Sequence, residues 1–433
     1  MTPDRPPLSR RLALAALALF LFITTINLGN FFLPDAKRVT GDMVGHDFLA
    51  FYTAGRFVRE GRPHDLYDLA KVKSFQHDLA RRERLGIRDS YGPFWNPPFY
   101  ALVFVPLAAL SYPAALFAWE LANLACLFAA ILLLIHLLPP PTPWRVRLLV
   151  PLLVCTGMPF IQALTHGQNT FGSLLLLTIT IALWRSQRPL AAGLVAGLLL
   201  YKPQLGAVVA LALACTMGWR AVLGLAITGA ALLALTLLAL PGSIHDYLAN
   251  MPGNLRQFQV VQEYLWNRHV TLRAFWRLLL QGPAAGEMTI VAKFAWLTTW
   301  SLLAGGLTWA WWRSRQDASR RDAFIAAVIP AMPLLMPFYF DYDLLLVATS
   351  AVLYAATCLR GQSADRWLTR GWIALFCWLM VNTTVARYTN VNGTVILLSF
   401  VTACSIWRAG RPIRGEHADA RDGFTAAALA AAA

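Results

Sequence analysis

The chain has 433 residues, 58% hydrophobic and only 14% charged, with 16 Trp and 24 Phe, a profile outside that of soluble globular domains. A bilayer crossing takes about 20 apolar residues, fewer where a helix is buried among others. Runs of that kind fill most of the sequence after residue 97, leaving no room for a separate soluble domain. The net charge of +15 does not mark a nucleic-acid binder, because the basic residues fall in short clusters between apolar runs: Arg5 to Arg11, Arg145 and Arg147, Arg185 and Arg188, Arg313 to Arg321, Arg360 to Arg370, and Arg408 to Arg414.

Basic residues precede an apolar run over 11–33, which is longer than a signal-peptide core and lacks a small-x-small cleavage site after it. It reads as a retained first span. Residues 34–96 form the longest polar stretch, with 11 Lys/Arg and 9 Asp/Glu. Within it, "DFLAFYTAGRFVREG" and "LYDLAKVKSFQHDLARRERLG" carry apolar residues at helical spacing and predict amphipathic helices on the membrane surface or against the bundle. Apolar runs follow at roughly 97–110, 113–138, 148–165, 169–184, 190–201, 203–217 and 219–240; after an aqueous stretch over 241–287 come 288–312, 322–337, 344–360, 371–385 and 394–409.

With the first span this makes thirteen runs, and an odd number of crossings would separate two Arg-rich termini that the positive-inside rule places together in the cytoplasm. The 14 residues of 97–110, bracketed by "NPP" and "SYP", are the best candidate for a re-entrant or peripheral segment. Twelve crossings then put every Arg cluster inside. Residues 1–409 read as a single transmembrane domain and 410–433 as a disordered cytoplasmic tail. The outer face collects the 34–96 and 241–287 loops with "THGQN" (165–169), "YKPQ" (201–204), "FYFDYD" (338–343) and "ARYTNVNG" (386–393).

These junctions hold the candidate site. Asp47, beside His46 and ahead of Phe48, Phe51 and Tyr52, suits either a helix N-cap or a catalytic carboxylate; His46 is either a helper or a bystander. Lys202 stands between two apolar runs ahead of Pro203, where it either binds phosphate or snorkels at a helix end. Gln168 and Asn169 mark a helix start that could bind an anion or a simple capped turn. Asp341 and Asp343 flank Tyr342, and since residues two apart do not share a helix face, one acid at most is expected to point inward. Glu120 and Asn123 are a polar pair within a span, with Lys293 and Arg387 as possible counter-charges or phosphate ligands. No Walker loop, GxGxxG, HExxH or GxSxG occurs, no ligand cluster demands a metal, and the six cysteines form no CxxC pair, which argues against disulfides and thiolate metal sites.

In order, "GHDF" with "FYTAG", "GRPHDLYD", "FWNPPF", "GQN", "YKPQ" and "FDYDLLL" give a chain that resembles glycosyltransferase family 87 over most of residues 11–409. The resemblance implies a GT-C fold, an all-α bundle of about twelve transmembrane helices in a bacterial cytoplasmic membrane, with juxtamembrane helices and the catalytic acid in the first outer loop. It implies inverting transfer of a hexose, mannose-like, from a polyprenyl-phosphate sugar to a lipid or glycan acceptor outside the cytoplasm. No cofactor or metal is called for. By motif, Asp47 matches the loop-one acid that would serve as general base. Lys202, Arg387, Gln168 and Asn169 become donor-phosphate candidates, and His46, Tyr52, Asn96, Asp341, Tyr342, Asp343 and Glu120 candidates for sugar or acceptor contact. Tyr342 stands where similar actinobacterial members have a His. The competing reading is a polytopic transporter or lipid flippase, although no internal repeat is visible and the polar residues gather at one surface rather than mid-depth.

Overall fold

A computed structural model describes residues 44–87, 90–315 and 320–410, with isolated positions between 14 and 25. Apart from those positions the expected first span, and beyond Gly410 the expected tail, lie outside the described residues. The first polar stretch folds as α1 (Phe48–Arg59) and α2 (Leu69–Glu83). There follow α3 (Tyr112–His136), α4 (Trp144–Thr156), α5 (Met158–His166), α6 (Thr170–Arg185), α7 (Pro189–Leu198), α8 (Pro203–Met217) and α9 (Trp219–Ala239). The second polar stretch, read from sequence only as aqueous, contains α10 (Ser243–Arg256) and α11 (Leu272–Gln281). The chain closes with α12 (Ile290–Ser314), α13 (Arg321–Leu335), α14 (Ala348–Leu359), α15 (Arg366–Leu379), α16 (Asn382–Thr389) and α17 (Gly393–Ala409). Among the described residues every regular element is helical, and the one extended pairing is a bridge between His269 and Phe340.

Four helical stretches are long and apolar enough to cross a bilayer alone: Tyr112–His136, Trp219–Ala239, Ile290–Ser314 and Asp341–Leu359. Two bent pairs, α4 with α5 (53°) and α16 with α17 (119°), raise the number to six. The other expected crossings rest on shorter helices such as α6, α8 and α13, about 22–24 Å long at 1.5 Å per residue against a hydrocarbon core of roughly 30 Å. The outer faces suit lipid: Leu238, Ile290, Phe294, Leu302, Phe117 and Phe128, on the three long apolar helices α3, α9 and α12, are all more than 60% exposed. This is a membrane protein.

The 97–110 run forms no spanning helix. Its 3₁₀ segments Pro98–Phe104 and Leu107–Ala109 are too short, since seven residues at about 2 Å each reach only about 14 Å. They pack instead on α1, where a Cβ on Gly55 would sit 2.5 Å from the Phe104 carbonyl oxygen, and Phe51 stacks on Phe104 at 4.9 Å. Phe48, Tyr52, Tyr112 and Trp119 complete this aromatic core. Elsewhere small residues set the spacing: a Cβ on Gly193 would lie 2.1 Å from the Ala221 carbonyl oxygen and one on Gly224 2.3 Å from that of Leu190, so α7 and α9 touch backbone to backbone.

The two polar stretches meet. His64 pairs with Asp246 at 2.6 Å, the Asn254 amide donates to the Tyr67 carbonyl at 2.9 Å, and Tyr67 packs edge-on to Tyr247. At the other end of the bundle arginines from three of the clusters converge. Arg185 and Arg360 both bind Asp322 at 2.9 Å, while Arg313 and Arg320 donate to the Gly410 carbonyl. Because α6 runs from Thr170 to Arg185, the 165–170 junction and this basic end lie at opposite ends of one helix.

Candidate active site

Helix α5 ends at His166 because Gly167 takes φ +69°, a left-handed conformation costly for any residue with a Cβ. The Gln168 N–H then reaches back to the Ala163 carbonyl at 2.9 Å, the hydrogen bond of a Schellman closure. A Cβ at Gly167 would lie 2.8 Å from that of Phe48, so the glycine also admits α1. The loop before α1 uses the carbonyls that α5 leaves open: Gly45 N–H donates to Thr165 at 2.8 Å and Asp47 N–H to His166 at 3.0 Å. Asp47 and Gln168 are thereby fixed side by side.

Asp47 occupies the N-cap position of α1 but makes no capping hydrogen bond. Its Oδ2 accepts instead from the Gln168 amide at 2.8 Å, and its Oδ1 lies 3.5 Å from His46 Nδ1. Its side chain is 29% exposed, so the carboxylate opens to solvent or substrate. Burial works against its charge but is outweighed by the His46 hydrogen bond, the charges of His166 and His46, and the Gln168 amide; the carboxyl is held well below the usual range.

Gln168 is the hub. Its amide nitrogen also donates to the Tyr342 hydroxyl at 3.1 Å, its amide oxygen lies 3.5 Å from Lys202 Nζ, and its backbone carbonyl accepts from Asn123 at 3.0 Å. Lys202, at the break between α7 and α8, is buried against Asp343 (3.1 and 3.2 Å) and over the Tyr342 ring. It is neither snorkelling nor free. Asp341 pairs with Arg268 at 2.9 Å and accepts from Gln162 and Thr383, and Arg268 also reaches His166 Nε2 at 3.3 Å. Both acids therefore join the cluster, against the expectation of one at most. The reason is local: residues Asp341–Val347 form a 3₁₀ helix packed against α5, α6, α13 and α14, with Arg268 meeting the acid before Tyr342 and Lys202 the one after it.

Other candidates fall outside the cluster. The Tyr52 hydroxyl donates to the Leu110 carbonyl at 2.8 Å, and Asn96 donates to the Tyr201 carbonyl at 2.8 Å, bracing the chain just before Lys202. Asn169 does not cap α6; its amide points to the Tyr100 hydroxyl at 3.0 Å. Glu120 is buried on α3 with neither carboxylate oxygen partnered, so the suggested counter-charges are absent: Arg387 is exposed on α16 and Lys293 lines a different cavity. Arg268 and His166 were missed in the sequence reading. The signal available for His166 was its place inside "THGQN"; Arg268, one arginine in a loop of several, offered none. Among the described residues no three His, Cys, Asp or Glu side chains gather where a metal could sit.

The family model for glycosyltransferase family 87 matches residues 94–337, more than half of the chain. The chain belongs to glycosyltransferase family 87. It is a glycosyltransferase, with a sugar donor and an acceptor as its substrates. No curated protein and no solved structure matches it. The family segment contains Gln168, Lys202 and Arg268 but stops short of Asp47 and of Asp341 to Asp343. Those acids are tied to it by contact, Asp47 through Gln168, Asp343 through Lys202 and Asp341 through Arg268.

Proposed function

We propose that this family 87 enzyme takes a hexose from a polyprenyl-phosphate sugar and transfers it with inversion to a lipid or glycan hydroxyl on the outer face of the membrane, with Asp47 as general base. The observation that carries the reading is a solvent-open carboxylate, kept ionised, whose side chain is spent on no helix cap and sits against a network of buried ion pairs. A sugar hydroxyl is a poor nucleophile, so a carboxylate in hydrogen-bond reach must take its proton as the oxygen attacks the anomeric carbon. The bond from that carbon to the phosphate oxygen breaks, its electron pair leaving with the polyprenyl phosphate. A carboxyl held this low is a weak base, and the bonds from His46 and Gln168 that hold it there must loosen as the acceptor hydroxyl takes their place.

The leaving phosphate is read onto Lys202, Arg268 and the Gln168 amide, which supply charge and donors where negative charge grows. Asn169 and Arg387, whose side chains turn elsewhere, leave that set. A site facing away from the cytoplasm is supported by the separation of this cluster from the Arg-rich end along α6. The transporter alternative loses ground to family membership.

Asp47→Asn keeps the size of the side chain and an acceptor for Gln168. In purified protein given a labelled polyprenyl-phosphate hexose and membrane extract, transfer should fall about 10²–10⁴-fold with donor binding retained. Near-normal turnover would sink the assignment. Lys202→Met is a poorer probe, because it strands Asp343 at a cost of about 3–5 kcal/mol.

A further inference from the structure

A cavity of about 240 Å³ lies between the π-turn Gln257–Val261, α11 and the start of α12. Its walls carry three cations, Arg273, Arg277 and Lys293, and among the described residues none of the three is in an ion pair. Three of the lining side chains also hold a buried N–H group without an acceptor: Trp266 Nε1, Arg277 Nε and Trp296 Nε1. Trp266, Gln259 and Arg277 are at most 5% exposed. Orphaned buried donors cost free energy, indole N–H and guanidinium can only donate, and three such groups belong to residues around this one space.

The remaining polar bonds set these groups in place. Arg277 donates to the carbonyls of Gly282 (2.9 Å) and Ala284 (2.5 Å), fixing its guanidinium. Arg273 donates to Gln259 Oε1 at 3.4 Å. Both guanidiniums flank the Trp266 ring, and burial works against the charge of each. The one acid at the rim, Glu287, is exposed and lies 3.6 Å from Arg256. In the Asp47 cluster, by contrast, Lys202 and Arg268 are each matched by a carboxylate. A single water needs only about 10–15 Å³, so this space admits a group much larger than solvent.

We propose that this cavity is an anion site that takes a phosphate-bearing group, either a lipid phosphodiester headgroup or free phosphate. Phosphate oxygens accept from several donors at once and pair with guanidinium in its fork geometry, a chemistry that matches the three cations around this space. The inference does not rest on the reading of Asp47. The two sites share a wall, because the turn Trp266–Arg268 presents Trp266 to this cavity and Arg268 to Asp341.

The test is saturable binding to the detergent-purified full chain of three probes: phosphatidylglycerol, dioleoylglycerol as its phosphate-free counterpart, and inorganic phosphate. Phosphatidylglycerol or phosphate should bind, and Arg273→Gln and Lys293→Gln should each weaken that probe about tenfold. Lys293 is exposed at the mouth, so its variant remains informative if Arg273→Gln fails to fold. Binding of phosphatidylglycerol that millimolar phosphate does not displace assigns the lipid source; displacement assigns free phosphate. Equal binding of dioleoylglycerol, no binding of either phosphate probe, or affinities unchanged in Lys293→Gln would overturn the proposal.

Discussion

His269 illustrates how a side chain beside the cluster serves the fold rather than the chemistry. It is 1% exposed, its Nε2 bonds the Tyr264 hydroxyl at 2.8 Å, and Nδ1 has no partner. Burial pushes its pKa from 6.5 down to about 3; Asp341 offsets part of that, and Arg268 and Arg273 add to it. The unfolded chain therefore takes up a proton near pH 6.5 that the folded chain refuses until about pH 3. Lowering the pH through that window favours unfolding, by a few kcal/mol at most. The melting temperature of the purified protein should fall between pH 6.5 and 4.5, and His269→Gln should flatten that slope. An identical slope in the variant would assign the effect to other groups; Asp47, itself held low, titrates below this window. At the same scale, Asp47 and Lys202 were legible because a charge beside an apolar run has few bland reasons to be there. The N-cap alternative for Asp47 could be discarded only on seeing that the capping bond is not made.

Helices were legible wherever a run was long and apolar, and α3, α9, α12 and α17 begin or end within a few residues of the sequence expectation. Breaks were harder. The run 148–165 is cut by a 53° bend at Gly157, and 241–287 hides two helices, of which α10 packs on Tyr67 in the first polar stretch, nearly 200 residues away. The tightest contact between elements is α7 on α9, and it depends on the absence of a side chain at two positions. Gly224→Val would place atoms inside the α7 backbone, so the helices must part at a cost of about 1–3 kcal/mol or more. A lower melting temperature with the active-site residues intact should follow, and an unchanged melting temperature would mean the helices are not packed this closely.

For the whole molecule, the tertiary structure gathers Arg185, Arg313, Arg320 and Arg360 at one end of the bundle and the candidate site at the other. The expected orientation has a direct measurement. In a cysteine-free background, Ser74→Cys on α2 and Ser186→Cys after α6, both exposed positions, should be labelled by an impermeant maleimide from the outside and only after lysis, respectively. The reverse pattern would invert the topology. Composition and run length alone determined that the chain is helical and membrane-embedded, because hydrocarbon admits little else for such a sequence; an ordered set of short motifs indicated the family. Only the tertiary structure decided which polar groups meet. Arg268 reaches Asp341, Lys202 reaches Asp343, and Gln168 joins them to Asp47, while Arg273, Arg277 and Lys293, in no ion pair among the described residues, line a separate cavity. Buried charge is costly unless matched, and whether it is matched depends on contacts between residues far apart in sequence, which no local pattern encodes.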